Sequence, residues 1–141
     1  MPYTKIWIHL IWSTKNREKS IIRDLKQQLI SHIKENCNKK GIIVNSINCV
    51  SDHIHILISL HPDQKLSNVV QLIKGESSFW INKNKLTRMK FEWQSEYMAA
   101  SVSESNVERV RKYILNQETH HTKKSFSQEI KELLEKMGYE Q

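Results

Sequence analysis

Glycine, proline and cysteine are scarce here: three, two and two in 141 residues. So few turn formers exclude a turn-dense β-sandwich and a Pro/Gly-rich disordered linker. Cys37 and Cys49 are too few for a disulfide framework and lack metal-site spacing, so they read as reduced thiols of a cytosolic protein. There is no Gly-rich phosphate loop, hence no sign of nucleoside triphosphate chemistry. Long apolar runs are missing too. The opening MPYTKIWIHLIW is too short and too polar for a cleaved leader or a membrane span, so no membrane partner is expected. Internal repeats and low-complexity tracts are absent.

What is present fits one folded domain over residues 1–141. Hydrophobic residues make up 38% and charged residues 26%, enough for a real core beneath a soluble surface. The net charge of +7 suggests a polyanionic partner, and its distribution says more. Residues 1–50 carry nine Lys/Arg against three Asp/Glu, while residues 104–141 carry seven of each. The excess gathers in the first third, notably in TKNREKS (Thr14 to Ser20) and CNKKG. A solvated surface is the plain alternative to a nucleic-acid footprint.

Periodicity orders the elements. YTKIWIHLIWS alternates, with Ile6, Ile8, Leu10 and Trp12 on one side and Tyr3, Lys5, Trp7, His9 and Ile11 on the other, as in a strand. The segment 21–41 repeats Ile22, Leu25, Leu29 and Ile33 at helical spacing, with Gly41 placed to cap its end. IIVNSINCV and DHIHILISL are strands joined by a short hairpin. The second helix spans 66–85, with Leu66, Val69, Val70, Ile73 and Trp80 as its inner stripe. YMAASVS is a fourth strand. A helix follows over 105–121, opened by Ser105 with Glu108 as a capping box. A last helix spans 125–138, with Ser125 and Gly138 as caps. The first six elements, β-α-β-β-α-β, spell a ferredoxin-like α+β fold: an antiparallel sheet with helices on one face, followed by two C-terminal helices.

Within the third strand, alternation points His53, His55 and Leu57 one way and Ile54, Ile56 and Ile58 the other. The two imidazoles sit roughly 6.6 Å apart along the strand and can converge on one metal ion. The alternative is a pair of histidines hydrogen-bonded on a half-exposed face. Two histidines alone are too few for a metal site.

On the helix VERVRKYILNQETHH, Val107, Val110 and Ile114 form the packing stripe. Tyr113 and Gln117 lie four residues apart along its border, pointing partly inward. That places a phenol beside an amide oxygen able to face a metal, although a packed tyrosine and a helix-forming glutamine explain the same spacing. His121 falls inside the stripe and reads as structural, with His120 beside it. His9, His32 and His61 belong to no motif.

DHIHILISL, LIKGESS and YILNQETHH, in that order, together with HLIWSTKNRE near the start, resemble the single-tyrosine transposases of the insertion sequence 200/605 group. That group belongs to the HUH nucleases, named for His, a hydrophobic residue and His. The resemblance covers nearly the whole chain. It implies a homodimer that cuts and rejoins single-stranded DNA and recognises hairpins near the ends of a mobile element. It also implies a bacterial protein of the cytoplasm, at the nucleoid when bound to DNA. By position it makes His53, His55 and Gln117 the metal ligands and Tyr113 the nucleophile, with Mg²⁺ or Mn²⁺ as cofactor. In this family the tyrosine helix of one subunit can complete the site of the other. The chain departs from the pattern at Asn16, where an aromatic residue is common, and at Phe79, where a basic one is, both of which bear on DNA contacts rather than on the chemistry.

A phenol of pKa near 10 is ionised to roughly one part in a thousand at pH 7, so its attack on phosphorus needs a cation to bind and orient the phosphate. A 5′-phosphotyrosine and a free 3′-hydroxyl would result, and the stored bond energy makes ATP unnecessary. Because His53, His55 and Gln117 are all neutral, this ligand set predicts weak metal binding until the phosphate supplies negative charge. Lys15, Arg17, Lys19 and Lys74 are candidates to hold phosphates, or solvated cations. Trp80 and Trp93 fit core packing better than base stacking. Competing functions are a non-catalytic binder of single-stranded DNA hairpins on the same scaffold, and a metal-dependent hydrolase without a covalent intermediate.

Overall fold

A computed structural model of the chain describes residues 3–117 and 125–136. Four strands form one antiparallel sheet in the order β2-β3-β1-β4: β1 (Trp7–Ser13), β2 (Ile43–Val50), β3 (His53–Ser59) and β4 (Met98–Val102). Helix α1 (Arg23–Lys39) links β1 to β2, and α2 (Leu66–Lys83) links β3 to β4. Among the described residues two further helices follow, α3 (Val107–Leu115) and α4 (Phe126–Lys136). This is the expected α+β order, with β1 and β3 at the sheet's centre.

Strand alternation divides the interior in two. Ile8, Leu10, Trp12, Ile54, Ile56 and Ile58 face α1 and α2, where Leu25, Leu29, Ile33, Val69, Val70 and Ile73 complete the main core. The opposite face carries Leu57 and Val102, which pack beneath Val110 and Ile114 of α3 in a smaller cluster. The βαββαβ helices thus lie on one face, and the C-terminal part covers the other. That second cover explains why both faces of β3 are buried.

Local signals account for several boundaries. Gly41 takes φ 72°, and the Ile42 N–H reaches the Cys37 carbonyl at 2.9 Å, closing α1 with the left-handed turn that glycine permits. The hairpin between β2 and β3 uses only Ser51 and Asp52, with Val50 opposite His53. Ser125 caps α4, accepting from the Gln128 N–H at 3.3 Å.

Three expectations are revised. The capping box at Ser105 does not form: a single 3-10 turn (Glu104–Asn106) leads into α3, and the Ser105 hydroxyl lies 3.3 Å from that of Ser103. Regular α3 ends at Leu115, with a turn at Asn116, and positions 118–121 of the expected helix lie outside the described residues. The inner seam of α2 passes through Ser77 and Ile81, while Trp80 is half-buried, packing against the edge of the main core as expected and stacking on the His32 ring at 4.0 Å. Ser77 is small enough to let Trp93 approach, and its hydroxyl accepts the Trp93 indole N–H at 2.9 Å. Trp93 is therefore core, as expected. His120, His121 and Gly138 lie outside the described residues.

Candidate active site

Strand β3 presents His53 and His55 on the face covered by α3 and α4, and both are fully buried. Their rings stand 5.1 Å apart between centroids. Isoleucines 54, 56 and 58 lock the other side of the strand into the main core, so the two imidazoles project from a rigid support.

Each ring is held through Nδ1. His53 Nδ1 lies 2.8 Å from Asp52 Oδ1, and His55 Nδ1 lies 2.9 Å from His9 Nε2. With Nδ1 so engaged, both Nε2 atoms turn toward the carboxylate of Glu129 on α4. His55 Nε2 is 2.8 Å from Glu129 Oε1, and His53 Nε2 is 3.5 Å from Oε2. His53, His55 and Glu129 bring one ligand atom each within 4.8 Å of one another. Among the described residues this is a buried group with metal-site composition.

Electrostatics follow from the burial. Desolvation opposes charge on His53, but hydrogen bonds to Asp52 and Glu129 outweigh it and raise its pKa. His9 is lowered well below its usual range, by burial first and then by the neighbouring His55, and stays neutral.

Helix α3 brings in Tyr113, and Gln117 follows two residues past its end. Tyr113 is half-buried, and its hydroxyl donates to Glu129 Oε1 at 2.5 Å, with its ring 5.6 Å from that of His55. Burial, then the bond to Glu129, pushes the phenol's pKa up, so it is protonated in this arrangement. Gln117 is fully buried; its amide donates to the Tyr113 carbonyl at 3.2 Å. Its Oε1 has no hydrogen-bond partner among the described residues. A buried amide oxygen left in that state is costly unless a cation or donor arrives. The arrangement therefore fits a divalent ion on two counts: imidazoles oriented from behind, and a buried amide oxygen without a hydrogen-bond partner among the described residues.

The four basic candidates behave differently from one another. Lys15 and Lys74 line an open cleft of about 1100 Å³ between α2 and the segment 90–95. Lys15 pairs with Glu92 at 3.2 Å, and Lys74 donates to the carbonyls of Gln94 and Glu96. Burial lowers the Lys74 pKa. Arg17, though exposed, reaches α4, bonding the Ser127 hydroxyl and lying 5.4 Å from the Phe126 ring centroid. Lys19 is exposed.

Three contributors escape the sequence reading. His9 shares an alternation face with Trp7 and Ile11, but its approach to His55 depends on β1 pairing with β3. Asp52 is visible as the neighbour of His53 in SDHIH. Glu129 is one of many acidic residues in the last quarter of the chain, and nothing local marks it.

Comparison with known proteins adds independent findings. The family described as "Transposase IS200 like" matches residues 2–117. The ISDra2 transposase TnpA of Deinococcus radiodurans is 28% identical over 115 residues, covering 77% of this chain and 81% of that protein. The transposase for insertion sequence element IS200 of Salmonella typhimurium is 24% identical, covering 77% and 74%. A solved transposase structure from Deinococcus radiodurans superposes with a TM-score of 0.68 at 22% identity, over 82% of this chain and 93% of that one. A REP-associated tyrosine transposase bound to a REP hairpin gives a TM-score of 0.65 at 16% identity, over 86% and 72%. These two share the fold.

Proposed function

The chain belongs to the IS200-like transposase family, and from that premise we propose that it cuts and rejoins single-stranded DNA, using Tyr113 as nucleophile. One observation carries this reading. The Tyr113 hydroxyl and His55 Nε2 meet at the same carboxylate oxygen, at 2.5 and 2.8 Å. A nucleophile and a metal-ligand nitrogen that share one contact atom are close enough to act on one phosphate.

His53, His55 and Gln117 are the residues proposed to hold a divalent ion, Mg²⁺ or Mn²⁺. When bound there, that ion would neutralise and orient the scissile phosphate. Asp52 and His9 keep the two imidazoles in position. Helix α3 aims the phenol. Tyr113 Oη attacks phosphorus, the P–O3′ bond breaks, and the strand is left with a 5′-phosphotyrosine and a free 3′-hydroxyl. Attack by another 3′-hydroxyl reverses the step on a new strand. Because the phenol begins protonated and hydrogen-bonded, its proton must leave as the O–P bond forms.

Lys15 and Lys74 in the open cleft, and the exposed Lys19 of the basic turn, are proposed contacts for the DNA backbone. Arg17 belongs to the same basic turn, though its guanidinium is engaged by α4. A homodimer acting on hairpin-forming element ends completes the reading. The REP-associated relative is bound to a hairpin, which supports that choice of substrate.

The test uses labelled single-stranded DNA bearing candidate element ends, with Mn²⁺ or EDTA, on a denaturing gel that retains protein–DNA adducts. A metal-dependent adduct, lost in Tyr113→Phe, is the expected result. Cleavage that survives in Tyr113→Phe without any adduct would point to a hydrolase. Retarded DNA with neither cut nor adduct, on a DNA known to be the element's own end, would leave a hairpin binder.

A further inference from the structure

We propose that Glu129 is an anionic ligand of the divalent ion at His53 and His55, so that the protein takes up its ion before DNA arrives. The proposal rests on the reading of this site as metal-dependent.

The geometry comes first. Glu129 is 3% exposed, and its two oxygens reach both histidine Nε2 atoms, at 2.8 and 3.5 Å. The carboxylate thus faces the ring nitrogens that a metal would use, because the Nδ1 atoms are already engaged by Asp52 and His9. When Nε2 binds an ion, Nδ1 carries the ring proton, and Asp52 Oδ1 and His9 Nε2 are acceptors for it. Support for each imidazole ligand is built in before any ion binds.

The charge balance points the same way. Two imidazoles and an amide leave a divalent ion uncompensated in a buried site, where isolated charge is expensive. One carboxylate halves the net charge. It also supplies the hard oxygen donor that Mg²⁺ and Mn²⁺ favour over nitrogen. The neutral set read from the sequence implies weak binding because it omits this residue.

Glu129 is also firmly delivered. Phe126, one turn earlier on α4, lies 4.3 Å from the His53 ring between centroids. Arg17 grips Ser127, and Leu133, one turn later, is buried. The helix therefore docks at three points and directs the carboxylate inward. Glu129 lies beyond residues 2–117, the part that matches the family.

The experiment is Mn²⁺ binding to the DNA-free full chain, read by calorimetry and by the loss of the free-ion electron paramagnetic resonance signal. The wild type is expected to bind one ion. Glu129→Gln, which keeps the shape and removes the charge, is expected to weaken binding at least roughly tenfold, as His53→Ala does. Glu129→Asp, which keeps the charge but draws it back, should fall between and guards against misfolding of the first variant. Unchanged affinity in Glu129→Gln, with binding lost in His53→Ala, would overturn the proposal while leaving the metal site intact. No binding by the wild type without DNA would also overturn it. Repeating that measurement with single-stranded DNA then separates the two ideas, because an ion taken up only with DNA preserves the metal-dependent reading, whereas none in either state removes both.

Discussion

His9 Nε2 on β1 lies 2.9 Å from His55 Nδ1 on β3, with both rings fully buried. Their centroids are 5.2 Å apart. The contact crosses between the two central strands, where β1 pairs antiparallel with β3 and sets His9 opposite Leu57, diagonal to His55. A histidine that the sequence reading gave no role thus controls the orientation of one that it singled out.

The first prediction concerns that contact. His9→Ala should lower metal affinity about 10- to 100-fold, the usual effect of losing a ligand's hydrogen-bond support. It should also cost roughly 1–3 kcal/mol of stability, because a buried polar partner is left behind. His9→Gln offers an amide oxygen in place of the ring nitrogen and should recover much of the affinity. Mn²⁺ titration beside urea unfolding separates the two effects. Equal affinity in wild type and His9→Ala would remove His9 from the site's support.

A second prediction uses a residue remote from the site. His32 on α1 lies 2.8 Å from both carboxylate oxygens of Glu76 on α2 and stacks on Trp80 with the planes 6° apart. Both partners are partly exposed, so the hydrogen bond is weakened by solvent and the stack carries a comparable share. His32→Ala should reduce stability by about 1–2 kcal/mol and leave Mn²⁺ affinity unchanged at temperatures where the protein is folded. Urea midpoints and metal titration check both halves. A drop in metal affinity without unfolding would mean that the two faces of the sheet are coupled.

The third prediction is a pH dependence. Burial pushes the Cys37 thiol up to about 11 and the Cys49 thiol up to about 12, from a reference of 9.0. Both should resist a thiol reagent at pH about 8 in the folded protein and react fully in denaturant. A thiol whose folded pKa lies above its unfolded value supports folding below the unfolded value. That support shrinks as pH rises from about 9 through 11 and 12. Tyr113, also raised, adds a loss of the same sign above pH about 10. Urea midpoints should therefore fall between pH about 8 and 11, and fall less in a Cys37→Ala, Cys49→Ala double variant. An identical fall in both proteins would acquit the thiols.

Much of the fold is legible in local pattern. Two-residue alternation in β1 and β3, and three- and four-residue spacing in α1 and α3, reflect which side chains can be buried together on one face. The ends are harder to read. Ser105 has the right neighbours for a capping box, yet a 3-10 turn precedes α3 and the serine faces Ser103 instead. Trp80 fits the helical stripe of α2, but α1 offers it the His32 ring, and the seam passes through Ser77 and Ile81. For Trp80 the competing contact comes from outside the segment that carries the signal, and for Ser105 it comes from the turn just before it.

The sequence by itself determined the elements, their order, and a short set of chemically able residues: His53, His55, Tyr113 and Gln117. Periodicity is a local property, so it survives in one dimension. Tertiary structure decided what surrounds them. The β1–β3 pairing placed His9 behind His55, and the docking of α4 set Glu129 among the imidazoles and the phenol. Those contacts join residues 46, 74 and 16 positions apart, and only the path of the backbone through the sheet and its helices brings them within a few ångströms.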